Sequence, residues 1–317
     1  MFETLAPVVI GIGILMYIAL VLLRAKKYGI SFKSAWLYCV LAFPLCIFGG
    51  HFVFCLMQPE MVLADHDLWY FLMPWEGQFD FLLYGVLAMM VLSAFICTRR
   101  EQGNMLSLLD LCVLPTALLI VFIRLSEPLC GMGIGNDMNE YYGITVTPLL
   151  SAVTCIKDTE YPDEHFLAVF VLEAFAAACM AVYAVADQKK RIKGEKALLF
   201  MVQYASCQIL FEFLHTDELT RWKFVRISQI LSAVFLFAVL VISAIKYGKL
   251  KNALKWGVLF IVVAGICVGV AFLDDKTGLD HFICYALIAI CGVSLGCISW
   301  HMYKKCRRED PLIEIPA

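Results

Sequence analysis

Charge is scarce in this chain. Of its 317 residues, 16% are Asp, Glu, Lys or Arg and 62% are hydrophobic, where a soluble domain carries about 25% charged residues. The mean hydropathy of +0.82 points the same way. A water-soluble fold is thereby excluded, because one core cannot hide that much apolar surface. A basic balance is missing as well: the formal net charge is -2, which argues against a nucleic-acid partner. Metal-binding spacing is also absent. The 14 cysteines include no C-x-x-C pair and lie mostly inside apolar segments, and the six histidines are scattered. The thiols therefore read as small hydrophobes, and no metal or cofactor is expected. Cys130 and Cys155 fall in one loop, so a disulfide, if one forms, joins those two. No low-complexity linker or internal repeat interrupts the chain. Nor is there a cleavable signal pattern: Glu3 precedes the first apolar run, Arg24-Ala25-Lys26-Lys27 follows it, and no small-residue cleavage site appears. That run is expected to remain as a membrane anchor.

What is present is a series of long apolar runs, at 7–23, 35–57, 79–98, 107–124, 165–186, 196–214, 226–245, 256–273 and 281–303. Each approaches the roughly 20 residues with which a helix crosses about 30 Å of hydrocarbon. The expected fold is all-α, a polytopic transmembrane helix bundle of about nine spans. Orientation follows from the basic residues. The stretches Arg24–Lys33, Arg99–Arg100, Lys189–Lys196, Lys246–Lys255 and Lys304–Arg308 hold 19 of the 25 Lys and Arg and fall on every second connection. The positive-inside rule then places the N-terminus outside and the C-terminus in the cytoplasm. Residues 58–78 contain no Lys or Arg and combine acids with Leu68, Trp69, Tyr70, Phe71 and Trp75, the pattern of an interfacial stretch. Residues 125–164 hold Lys157 alone against seven acids and are expected to form a small cap on the outer face or a solvated connection. The last two spans read as packing helices. In the eighth, Gly265 and Gly269 form a small-xxx-small pair expected to let a neighbour approach.

An ionised side chain at membrane depth costs about 3 kcal/mol or more unless it is partnered or faces water, so each one marks a candidate site. Arg124 and Glu127 sit where the fourth run meets a turn containing Gly131, Gly133 and Gly135. Such glycines let backbone N–H groups approach an anion. Gln208, Glu212 and His215 follow one another at spacings of four and three, which puts them on one helix face. Glu173, Tyr17, His51, Asp80 and Gln229 complete the polar set. The bland alternatives are snorkelling of Arg124 to the headgroups, a simple Arg124–Glu127 salt bridge, and hydrogen bonds that only hold helices together. Asp110, at the inner end of the fourth run, reads as a helix N-cap carboxylate.

These residues also carry a resemblance. Leu109-Asp110 with Pro115, followed by Arg124-Leu-Ser-Glu127-Pro-Leu-Cys-Gly131 and Gly135, resembles the signature of the prolipoprotein diacylglyceryl transferases. In that family an aspartate and a proline precede Gly-Arg-Ile-Gly-Asn-Phe-Ile-Asn-Gly-Glu. Further elements follow in the family's order: the Tyr17 region with Arg24-Ala-Lys-Lys-Tyr-Gly-Ile-Ser, Phe48-Gly-Gly-His51, Leu172-Glu173-Ala, Phe211-Glu212-Phe and Ile227-Ser-Gln229-Ile-Leu-Ser. The likeness runs over about residues 5–245. On that basis residues 1–247 form a transferase-like membrane domain, and residues 248–317 add two transmembrane helices and a basic cytoplasmic tail.

The resemblance implies an enzyme of the bacterial cell membrane. It would move the diacylglyceryl group of phosphatidylglycerol to the cysteine thiol of a prolipoprotein signal peptide. Arg124 matches the signature arginine and would hold the leaving phosphate, which leaves Asp80, Glu127 or His215 as candidate bases. Tyr17, Gly131, Gly135, Glu173, Gln208, Glu212 and Gln229 are then the candidate substrate-binding residues. The sequence departs from the pattern in several places, among them two glycines lost from the third-helix element. Asp80 replaces the family's third-helix histidine, Glu127 an asparagine, Met132 a glutamate, and Gln208 and His51 each an arginine. Two other readings therefore stay open: a non-catalytic phospholipid-binding relative, and a transferase that uses another lipid or acceptor.

Overall fold

A computed structural model of the chain describes residues 5–74, 81–101, 104–148, 150–156, 164–187, 191–216, 221–222, 225–246, 250–277 and 280–308. Its helices are α1 Ala6–Arg24, α2 Phe32–Met57, α3 Pro59–Asp65, α4 Leu83–Glu101, α5 Met105–Ser126, α6 Val169–Ala186, α7 Glu195–Leu214, α8 Ile227–Lys246, α9 Leu250–Thr277 and α10 His281–Arg308. Among the described residues nine helices, all but α3, are long and apolar enough to cross a membrane. Large apolar side chains on these helices, such as Leu15, Phe175, Val234 and Ile261, remain exposed. Water would penalise that surface and lipid does not. The chain is thus an all-α, multi-pass membrane protein.

Outside the spans, two short antiparallel hairpins occur: β1 Thr154–Ile156 with β2 His165–Leu167, and β3 Arg221–Trp222 with β4 Val225–Arg226. The first corrects the expected start of the fifth span. Residues 165–167 are a strand, because their backbone groups pair with β1 before the apolar run turns helical at Val169. In the aromatic stretch after α2, Leu68 and Trp69 are exposed while Tyr70 is buried, an arrangement suited to headgroup depth.

The described chain packs as two compact units. The smaller comprises Ile12–Leu119 with Arg191–Ala197. Here α2 and α4 approach closely, since a Cβ at Gly85 would collide with the carbonyl oxygen of Gly49. The Tyr17 and Tyr38 hydroxyls lie 2.9 Å apart. His51 is fully buried with Nε2 2.7 Å from the Tyr70 carbonyl, and its Nδ1 has no hydrogen-bond partner among the described residues. Asp110 does cap a helix, but not its own. Its carboxylate accepts the N–H groups of Gly194 at 2.7 Å and Ala197 at 2.9 Å, satisfying the orphan donors at the start of α7. The start of α5 is capped instead by Asn104, which accepts the Ser107 N–H at 3.1 Å.

The larger unit comprises Met1–Gly11, Ile120–Lys190 and Leu198–Ala317. One apolar core joins Ile209 of α7, Leu236 and Leu240 of α8, Phe260 of α9 and Ile288, Leu295 and Met302 of α10. Gly265 and Gly269 do not mediate a close approach: a Cβ at either would meet nothing within 4 Å. The close contact lies on α10. A Cβ at Gly292 would stand 2.7 Å from the Ser206 carbonyl oxygen, and one at Gly296 would collide with the Ser206 hydroxyl. Backbone cannot yield there as a flexible side chain would. Gly292→Val is therefore expected to destabilise the protein by about 1–3 kcal/mol through overpacking. Thermal unfolding in detergent would read this as a lower Tm, whereas Gly265→Val should leave Tm unchanged.

Candidate functional site

The polar residues of the larger unit assemble into one buried network, and local helix geometry explains most of it. α5 ends at Ser126 and tightens into a 3₁₀ turn over Glu127–Cys130, which Gly131 closes at φ 71°. A left-handed residue at that position favours glycine. This turn sets Glu127 one turn beyond Arg124, and Arg124 Nη1 donates to Glu127 Oε1 at 2.5 Å. Glu173 faces the same guanidinium from the second turn of α6, with Arg124 Nη2 3.1 Å from its Oε1. Tyr204 of α7 lies at the edge, its hydroxyl 3.5 Å from Nη2.

α7 supplies the other side. Gln208 Nε2 donates to Glu173 Oε1 and to Glu212 Oε1, each at 3.0 Å. His215, just past the helix end, places Nε2 3.3 Å from Glu173 Oε2. Glu173 is the hub: its carboxylate meets Arg124, Gln208 and His215 and is 3% exposed. Buried charges of this kind persist only when paired and hydrogen-bonded.

Two polar atoms at the centre stay unsatisfied. Arg124 Nε and Glu127 Oε2 are buried and have no hydrogen-bond partner among the described residues. Arg124 Nε is a donor and Glu127 Oε2 an acceptor, both buried, in two residues joined by an ion pair, and a bound group able both to accept and to donate could satisfy them. The glycine turn shapes the space next to them. At Gly133, φ is 75° and a Cβ would lie 2.9 Å from Glu127 Oε2, so only a residue without a side chain fits against that carboxylate. The N–H groups of Gly131 and Gly135 point elsewhere. They donate to the Pro128 carbonyl at 3.2 Å and the Leu167 carbonyl at 2.8 Å, so these glycines bend the chain and do not present N–H groups to an anion.

Gln229 joins the network at its far end, where Nε2 donates to the Ile209 carbonyl at 2.9 Å and Oε1 accepts the Arg226 N–H at 3.1 Å. Arg226 was not among the sequence candidates. It is buried, and its Nη2 donates to the His215 carbonyl at 2.5 Å, which fixes the residue that carries the imidazole. The available signal was a basic residue directly preceding an apolar span, one of three in Arg221-Trp-Lys223-Phe-Val-Arg226. Tyr17 belongs to the smaller unit, and Asp80 lies outside the described residues. Cys130 and Cys155 are not joined in a disulfide; half-burial pushes the Cys155 thiol up from its ordinary range. Among the described residues no group of three or more His, Cys, Asp or Glu is placed to hold a metal ion. Arg226→Ala should release the end of α7 and expose the His215–Glu173 contact to exchange. Loss of a charged hydrogen bond of this kind costs about 1.5–3 kcal/mol, and a Tm unaffected by the change would contradict the assignment.

Among the described residues, nine helices of membrane length and, in the larger unit, a buried guanidinium–carboxylate network mark a polytopic membrane protein with a polar site at its helix ends. The chain belongs to the prolipoprotein diacylglyceryl transferase family, whose model matches residues 7–245. Diacylglyceryl transfer in lipoprotein biosynthesis is the activity of that family. The chain is 25% identical over 248 residues to the phosphatidylglycerol–prolipoprotein diacylglyceryl transferase 2 of Clostridium perfringens (strain 13 / Type A), covering 78% of this chain and 92% of that protein. α9 and α10 lie beyond the matched residues.

Proposed function

We propose that this protein transfers the diacylglyceryl group of phosphatidylglycerol to the cysteine thiol of a prolipoprotein signal peptide in the bacterial plasma membrane. One observation carries the reading: Arg124 Nε, a donor, and Glu127 Oε2, an acceptor, belong to an ion-paired couple and are buried with no hydrogen-bond partner among the described residues. The reaction needs both. The thiol sulfur forms a bond to the glycerol carbon of the lipid, the bond from that carbon to the phosphate oxygen breaks, and glycerol phosphate departs with the electron pair. Arg124 Nε–H would hold a phosphate oxygen and stabilise the charge that grows there. Glu127 Oε2 would take the thiol proton. A carboxylate is a weak base for a thiol with a pKa of about 8.5. Coupling proton removal to a departing anion held by a guanidinium is what makes it serviceable.

Glu173, Gln208 and Glu212 would hold Arg124 in place, with His215 as a second group able to carry the proton. Gln229 would anchor α8 to α7 beneath them, and Gly131 and Gly135 would shape the turn beside the lipid headgroup. The resemblance adds Tyr17 as a lipid contact and Asp80 as a further candidate for the proton. The alternation of basic connections supports an N-terminus outside, a C-terminus in the cytoplasm and a site on the outer face. Residues 1–247 would constitute the transferase part and 248–317 an addition to it.

The test is complementation. The chain is expressed in cells depleted of their own transferase, and lipidation of a lipobox-bearing reporter is followed. Lipidation is expected with this chain. An inserted, folded protein that lipidates nothing would overturn the proposal, and phosphatidylglycerol co-purifying with such an inert protein would point to a lipid-binding role instead.

A further inference from the structure

α9 and α10 lie outside the residues that the family model matches, yet they are not mere additions to the bundle. Their adjoining ends hold a cluster of rings. His281, the first residue of α10, has Nδ1 2.8 Å from Asp274 Oδ1 of α9 and 3.2 Å from the Tyr141 hydroxyl. Its ring stacks on Tyr141 at a centroid distance of 4.2 Å. One turn on, the Tyr285 hydroxyl lies 3.0 Å from that of Tyr142. The Tyr285 ring also packs edge-on against Phe213 of α7 at 5.5 Å, two residues before His215.

Tyr141 and Tyr142 belong to the segment 131–144, whose other end meets the ionic network. Gly133 lies against Glu127. The Ile134 carbonyl accepts the Thr216 N–H at 3.1 Å and the Thr216 hydroxyl at 2.9 Å. Between the two ends, the Gly143 N–H donates to the Asn139 carbonyl at 2.9 Å and the Ile144 N–H to the Met138 carbonyl at 2.8 Å. Residues 138–144 thus form a compact turn, and residues 133–138 are bonded in addition to 165–170: the Gly135 N–H donates to the Leu167 carbonyl at 2.8 Å, the Met138 N–H to the His165 carbonyl at 2.7 Å and the Phe170 N–H to the Gly133 carbonyl at 3.0 Å, so one hydrogen-bonded stretch of backbone links the turn to the Glu127 end. α10 is itself fixed to α7 through Gly292 and Gly296 at Ser206. One helix thus grips both α7 and the segment beside the site.

We propose that α9 and α10 act as a clasp that holds segment 131–144 against Glu127 and the end of α7, with Tyr285 and His281 as positioning residues for the phospholipid site. This rests on the reading of the site given above. Neither residue touches the Arg124 network; both act through Tyr141 and Tyr142. The proposal separates a clasp from interfacial aromatics that merely sit among headgroups, because only a clasp ties these side chains to the order of residues 133–144.

The full chain in nanodiscs containing phosphatidylglycerol provides the test, with Tyr285→Phe, His281→Ala and the double variant. Tyr285→Phe removes one oxygen and keeps the ring on Phe213. Hydrogen–deuterium exchange over 133–144 is expected to rise about tenfold in the double variant, as for the loss of one or two hydrogen bonds, while α8 exchanges as before. In the reporter reaction KM for phosphatidylglycerol should rise by about the same factor, with kcat within about twofold. Unchanged exchange at 133–144 overturns the clasp. Raised exchange with unchanged KM overturns the positioning role. If the unaltered chain lipidates nothing, the transferase reading falls by itself; retention of phosphatidylglycerol on purification then replaces KM, where weaker retention supports the clasp and equal retention overturns it.

Discussion

Arg124→Ala is expected to abolish lipidation of the reporter and to destabilise the protein by about 3–5 kcal/mol, the range for removing one partner of a buried ion pair. The size follows from what is left behind. Arg124 stands between Glu127 at 2.5 Å and Glu173 at 3.1 Å, and its removal leaves two buried carboxylates without the guanidinium that pairs with both. A fall in activity from such a variant could reflect collapse alone, so Arg124→Lys is the informative companion. Lysine keeps the charge but cannot reach both carboxylates and still offer a third N–H, because the ammonium is a compact point charge and the guanidinium a planar fork. Arg124→Lys should therefore recover most of the stability and little of the activity. Tm and reporter lipidation measured on the same preparations would check this, and full activity in Arg124→Lys would contradict the role given to Nε.

Glu127→Gln is expected to lower kcat about 10²- to 10⁴-fold, the usual contribution of a positioned general base, with KM for phosphatidylglycerol little changed. The amide oxygen can still accept from Arg124 Nη1, so the local geometry survives while the proton acceptor is lost. The outcome distinguishes two roles for the same carboxylate. If Glu127 served only to hold the guanidinium, the substitution would leave kcat near its starting value. Should kcat hold, the proton would go to His215, 3.3 Å from Glu173, or to Asp80.

The residues around Arg124 also depart from the family pattern that the sequence resembles. Where the family pattern has an arginine, this chain has Gln208, and it bridges Glu173 and Glu212 at 3.0 Å each. A neutral amide with two donors can satisfy two carboxylates but cannot neutralise them. Arg226, whose guanidinium holds the His215 carbonyl, places a second buried cation in the network from a different part of the chain.

Much of the framework was legible from the chain alone. Length and apolarity place a span wherever about 20 apolar residues run together, because a helix satisfies its own backbone inside a bilayer; eight of the nine expected runs became α1, α2, α4, α5, α7, α8, α9 and α10 with shifts only at their ends. The fifth run, 165–186, became α6 only from Val169, because residues 165–167 pair with residues 9 to 13 positions earlier in the chain. Spacing was equally direct for Gln208, Glu212 and His215, which the helical period sets on one face.

Other features depended on the arrangement of helices in space. Nothing local says that Glu173 would be the shared partner of Arg124, Gln208 and His215, that Asp110 would cap a helix 84 residues away, or that Gly292 and not Gly265 would sit at a close approach. Membrane-spanning helices and their polar stripes are decided by a few neighbouring residues and by the bilayer, so the sequence by itself determined them. Which charge meets which, and which side of each helix is crowded, depends on contacts between segments far apart in the chain, and only the tertiary structure could decide it.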